Sequence, residues 1–245
     1  MTISSDVDER ATEASARAFM ETGLANDRAQ ALRERVAIDV PRYLAENGSR
    51  ISFHHWLGGD RAGLGFGLIT EMTADLAKGA GQLFTTELFY PGAALVRQLL
   101  ECGYLLALAE ERKEEMTTWL DGSAEEISSM FKPRKMRDRS VRAFRLGEYR
   151  VHCERGGHPH RDGQDLLRGH RSGDALSTRR HWVDLAQHLA EIWDFFCAAL
   201  PLYEPRMLRD SGVYRPADAP AGRDHVAALL EEWRREDPLA QRLPA

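Results

Sequence analysis

The chain has 245 residues, 43% hydrophobic and 29% charged, a balance that excludes wholesale disorder and allows one large domain or one domain with a helical extension. Its three cysteines, Cys102, Cys153 and Cys197, are widely spaced and form no CxxC, which argues against a disulfide framework and for a reducing cytosol. The net charge of −5 hides an asymmetry: Lys132 to Arg180 holds fourteen Lys/Arg against six Asp/Glu, a local +8 that leaves −13 elsewhere, which hints at an anionic partner although solvated helices also carry such runs.

The N-terminal MTISSDVDERATEASARAF is acidic and polar, with no apolar segment of the secretory type. Residues 7–21 and 25–46 are predicted amphipathic helices. In the second, Leu32, Val36, Ile38, Val40 and Leu44 give an imperfect stripe, and Pro41 should kink or break it, since proline lacks the amide and crowds the preceding turn. Asn47-Gly48-Ser49 reads as a stop signal, and residues 50–57, RISFHHWL, as a short strand or an extended entry into the core. Gly63, Gly65 and Gly67 alternate in the stretch that follows. No strand-forming run leads into them and no Gly-Lys-Ser/Thr follows, so they predict close helix packing rather than a phosphate loop.

Residues 68–89 are predicted helical, weakened by Gly79 and Gly81. Pro91 suits the first turn of the next helix, 92–111, which is apolar nearly all round and belongs at the centre of a bundle. Its longest apolar run, Cys102 to Ala109, is too short to span a bilayer, so the expectation is a cytoplasmic protein without a membrane partner. A short helix at 113–121 follows. Ser123 and Glu126 then form a capping box that opens a helix ending near Phe131. Pro133 breaks the chain, and a basic helix is expected over 134–154. Gly156-Gly157 and Pro159 end it and open a polar loop to about residue 177. In 178–200, Trp182, Leu185, Leu189, Ile192 and Phe196 share one helical face. Four prolines, Pro201, Pro205, Pro216 and Pro220, mark an irregular connection before a last helix from Asp224 to Arg235.

Two places carry residues suited to chemistry. Arg97 and Glu101, four apart on an otherwise apolar helix, share a face. They read either as a buried ion pair holding the bundle or as members of a site. The second place is 148–163, EYRVHCERGGHPHRDG, where His152, His158 and His160 stand among Tyr149, Arg150, Glu154 and Arg155. Histidine exchanges protons near neutral pH and arginine holds a phosphate through paired hydrogen bonds. RNA cleavage by the neighbouring 2′-hydroxyl needs both: a base for that hydroxyl, an acid for the leaving oxygen and a cation for the developing charge. His152, Cys153, His158 and His160 are also metal-ligand types, but their spacing fits no zinc pattern, and no Glu-x-x-His suggests a di-iron bundle. His181, Asp184 and His188 could form a ligand face, yet they sit on the polar flank of an apolar stripe, where such residues are ordinary. His54-His55 receives no role, and no Gly-x-Ser-x-Gly elbow marks a nucleophile. No metal and no cofactor is assigned.

The succession FYPGAALVRQLLECGYLLALA, TWLDG, FKPRKMR and EYRVHCERGGHPH, over roughly residues 85–200, resembles a bacterial helical family of unknown function with an Arg-x-x-x-Glu helix and a later Tyr…His-Pro helix end. It is also similar to HEPN domains, four- to five-helix bundles that often dimerise. Many of these are RNA-cutting toxins or defence effectors with an Arg-x4–6-His motif. Arg155-Gly-Gly-His-Pro-His160 fits the Arg-x4-His form, although Gly156 stands where that motif is usually polar and Pro159 is unusual inside it. Arg150 with His158 is an alternative pair of longer spacing.

The combined expectation is an all-α helical bundle with a HEPN-like core. Residues 1–60 form an N-terminal helical extension, 61–200 the bundle core, and 201–245 an irregular segment and helix. The resemblance implies a metal-independent ribonuclease or RNA-binding protein, toxin or defence related and homodimeric. RNA would lie along 132–180, with His158 or His160 as acid and base and Arg155 or Arg150 on the phosphate. Tyr149, Arg97 and Glu101 would orient them. The alternatives are a non-catalytic helical module binding a protein or small ligand, and a small-molecule or haem enzyme built in a helical bundle.

Overall fold

The computed structural model describes residues 3–142, 146–157, 161–167, 175–204 and 218–240, and the chain is all-α: no strand occurs among the described residues. Helices α1 (Ile3–Ala25), α2 (Asp27–Gly58), α3 (Arg61–Thr85) and α4 (Phe89–Glu111) are followed by three short helices, α5 (Glu115–Asp121), α6 (Ala124–Met130) and α7 (Pro133–Arg139). Then come α8 (Leu146–His152), continued by a wider π-turn over Cys153–Gly157, and two long helices, α9 (Ala175–Tyr203) and α10 (Asp218–Glu236).

Helix α2 runs unbroken through both expected stops, with Pro41 inside it, so 50–57 is helical rather than extended. The reason lies in its partner. A methyl group on Gly48 would come within 2.9 Å of the Glu71 backbone nitrogen, and one on Gly67 within 2.5 Å of that of Ser52. Gly48 is therefore a site of close helix approach, not a terminator. Gly63 and Gly65 serve the same end: their missing methyl groups would strike the His55 ring and the Met116 carbonyl oxygen. The expected packing role of the 63–67 glycines thus holds, and it extends back to Gly48.

The true stop is local chemistry eleven residues later, at Gly59. Gly59 takes the left-handed conformation at φ 70° and closes α2, and the Asp60 side chain accepts from the Gly63 amide at 3.1 Å to open α3. Glycine past one helix and aspartate before the next is the usual division of labour at such a corner. At α6 the expected capping box is present, with Ser123 and Glu126 each accepting from the other's backbone amide.

Helices α2, α3, α4 and α9 pack around one core containing Val36, Val40, Leu44, Phe66, Phe84, Leu99, Leu106, Leu189 and Phe196, and α10 adds Leu229, Leu230 and Trp233 along α2. The α9 face predicted from Trp182 to Phe196 is buried as expected. Helix α4 is the one described helix long and apolar enough to cross a membrane by length and composition, and 72% of its most apolar window is buried inside the fold.

The expected basic helix over 134–154 is instead two, α7 and α8, which do not run on from one another. Residues of the first half turn back onto the acidic end of α4 and the start of α5. Arg139 pairs with Glu115, Arg142 pairs with Glu110, and the Ser140 hydroxyl donates to Glu111 at 2.7 Å. Part of the basic charge is thereby neutralised within the chain, while Lys132, Arg134 and Lys135 remain exposed.

Candidate functional site

Helix α8 lies against α4, and its π-turn rests directly on the α4 backbone. A methyl group on Gly156 would stand 2.7 Å from both the Ala93 carbonyl carbon and the Ala94 amide nitrogen, so only glycine allows this approach. Held there, α8 offers Tyr149 to α4 and, one turn later, His152 to α9.

On the α4 side, Glu101 Oε1 accepts from Arg97 Nη1 at 2.8 Å and from the Tyr149 hydroxyl at 2.8 Å. Arg97 Nη1 also lies 3.3 Å from the Tyr149 hydroxyl oxygen, which closes a three-membered network. The Cys153 thiol interacts with both Arg97 and Tyr149. Burial first, and then the hydrogen bond to Glu101, push the Tyr149 phenol well up, so it acts as a proton-bearing donor and not as a phenolate base. The Arg137 guanidinium from α7 lies 5.1 Å from the centre of the Tyr149 ring and 6.0 Å from that of Tyr104, a cation–π roof over the network.

Two guanidinium nitrogens here, Arg97 Nε and Arg137 Nη1, are buried with no hydrogen-bond partner among the described residues. An orphaned buried donor costs about 1–3 kcal/mol, more when charged. The arrangement therefore suits a further acceptor, and the positive charge of Arg137 that remains once Glu101 pairs with Arg97 favours an anionic one.

On the α9 side, His152 and His188 bring their Nε2 atoms to 3.1 Å of each other, and Asp184 Oδ1 lies 3.5 Å and 3.4 Å from them. Both imidazoles are buried. Burial opposes the charge on Asp184, but the two imidazoles, His152 foremost, outweigh it and hold the carboxyl well below the usual carboxylate range.

Of the residues expected from the sequence, the structure brings together Arg97, Glu101 and Tyr149. Arg150 does not join them: its side chain is 74% exposed, with Nε 3.8 Å from Glu154. His158 and His160 lie outside the described residues, as does the side chain of Arg155. Arg137 was missed because its role depends on where α7 folds, although an arginine amid tyrosines of two other segments is a signal of a kind. The possible ligand face of His181, Asp184 and His188, which the sequence favours as an ordinary polar flank, is split in the structure. His181 stacks on the Phe84 and Phe89 rings at 5.2 and 5.0 Å, and His152 from α8 meets the other two residues instead. His55, given no role, is buried and donates from Nε2 to the Tyr203 carbonyl oxygen at 2.9 Å, joining α2 to α9.

No protein-family model, curated protein or solved structure matches the chain.

Proposed function

We propose that the chain is a HEPN-like RNA-directed protein that holds a phosphate beside Tyr149, between Arg97 and Arg137, and whose catalytic form is metal-independent RNA cleavage. The observation that carries this reading is that two buried guanidinium nitrogens beside one tyrosine, Arg97 Nε and Arg137 Nη1, have no hydrogen-bond partner among the described residues. The exposed Lys132, Arg134 and Lys135 supply a cationic approach along the same flank. Tyr149 stays protonated and orients Arg97 through Glu101. Proton transfer falls to His158 and His160, with Arg155 on the phosphate, as the Arg-x4-His motif implies.

The test has two arms. Purified protein is incubated with mixed RNA beside a His158→Ala/His160→Ala variant; cutting by the first and not the second is expected, and equal cutting or none by either removes the nuclease. Fluorescence anisotropy with a labelled single-stranded RNA measures binding separately. Arg137→Ala is expected to weaken binding about tenfold, or ~1.4 kcal/mol, and unchanged affinity removes the phosphate site.

A second reading, a non-catalytic module for a small anionic ligand, is favoured by the pairing of Arg139 and Arg142 with α4-side carboxylates, which shrinks the surface open to a polyanion. Under it Arg137→Ala leaves RNA affinity unchanged and abolishes binding of the small anion.

A further inference from the structure

The cluster between α8 and α9 has no part in the RNA reading, and its geometry asks for an explanation. A hydrogen bond between His152 and His188 accounts for one edge, since one Nε2 can donate to the other at 3.1 Å. It does not account for Asp184. The 3.4 and 3.5 Å separations from Oδ1 are longer than a charge-assisted hydrogen bond, about 2.7–2.9 Å, yet nearly equal. Protonating both Nε2 atoms to serve the carboxylate would set two N–H groups against each other across 3.1 Å.

The three atoms stand at the corners of a nearly equilateral triangle whose centre is about 1.9 Å from each, against zinc–nitrogen and zinc–oxygen bonds of about 2.0–2.2 Å. An ion at bonding distance from all three sits just off their plane, about 0.7 Å from it, as a zinc with one further coordination position does. All three donors lie within 4.8 Å of one another and come from two separate helices. Two imidazoles and one carboxylate suit a borderline ion such as zinc better than magnesium or calcium, which prefer oxygen alone.

From this we infer that His152, Asp184 and His188 bind a divalent transition-metal ion of the zinc class, which ties α8 to α9. Helix α8 has seven residues, too few to persist without an anchor. The ion supplies one, and because His152 lies one turn from Tyr149 it also fixes the tyrosine against Arg97 and Glu101. The three ligands are none of the residues placed on the phosphate, so zinc retention and RNA binding are measured separately and either reading can fail alone.

The experiment strips the full-length protein with chelator, then adds Zn2+, with Co2+ as a coloured substitute. One equivalent of zinc should be retained per chain after desalting. The melting temperature should rise by roughly 5–10 °C at a hundredfold excess over the dissociation constant, and Co2+ should give visible ligand-field bands. Asp184→Asn keeps the shape of a partly buried side chain and should lose retention, shift and colour while melting close to the stripped parent. His152→Gln should do the same, which guards against misfolding of either variant. No retained zinc in the parent overturns the inference, as does equal retention by parent and both variants.

Discussion

Asp237→Ala is expected to destabilise the protein by about 3–5 kcal/mol, the loss found when one partner of a buried ion pair is removed. Arg33 on α2 and Asp237, just past α10, are both fully enclosed, at 0% side-chain exposure. Arg33 Nε and Nη2 each donate to a different Asp237 oxygen at 2.7 Å. Nη2 also donates to the Gly23 carbonyl oxygen at 3.0 Å, while Asp237 accepts from the Trp233 indole and the Leu239 amide at 2.9 Å each. One pair thus fastens the end of α1, the start of α2 and the end of α10. Removing the carboxylate leaves a charged guanidinium without water or counter-ion. Circular-dichroism melting should fall by roughly 6–20 °C for a chain of this size. Arg33→Met should cost less, because Asp237 keeps two neutral donors. Replacing both residues together should restore much of the loss, since well-packed apolar residues serve as well as a buried ion pair. A drop under about 2 °C for Asp237→Ala would mean the pair is not enclosed as described.

Gly156→Ala is expected to damage both candidate sites at once. The added methyl meets the α4 backbone at 2.7 Å, and backbone cannot swing aside as a side-chain tip can. The π-turn must lift from α4 and carry α8 with it. The stability cost is that of overpacking, about 1–3 kcal/mol. The larger effect is positional: Tyr149 leaves Glu101, and His152 leaves Asp184 and His188. RNA anisotropy and zinc retention should therefore both fall in a variant that still melts cooperatively. Gly103→Ala on α4 is the matched control. Its methyl would meet only Ile192 Cγ1 at 3.5 Å, an ordinary contact, so the gain in helix propensity, about 0.5–1 kcal/mol, should appear as added stability with both binding activities intact. Equal behaviour of the two variants would refute the role given to Gly156.

Period and caps were enough to place α9, α4 and the α6 capping box, because each is decided within a few residues of itself. The same local reading stopped α2 at Gly48, whose purpose is a neighbour that only folding supplies. The candidate site divides likewise. Arg97 with Glu101 stood out because two charges on an apolar helix need partners, and Tyr149 proved to be one of them. His152 with Asp184 and His188 did not stand out, since the first lies more than thirty residues before the others and no periodicity links them. The basic run from Lys132 was visible as charge, but the acids that answer it sit at the end of α4 and on α5.

The glycine seam between α2 and α3 also decides how the molecule opens. Backbones this close leave no route for solvent, and the two helices cannot part by degrees. Amides around Ser52 and Gly67 will trade their protons for deuterons only when the whole bundle comes undone. Those of α8, a seven-residue helix laid on the outside of α4, will trade them through small excursions that leave the rest intact. The protein thus keeps its architecture and its chemistry in compartments of unequal permanence, and substitutions that loosen the second need not touch the first.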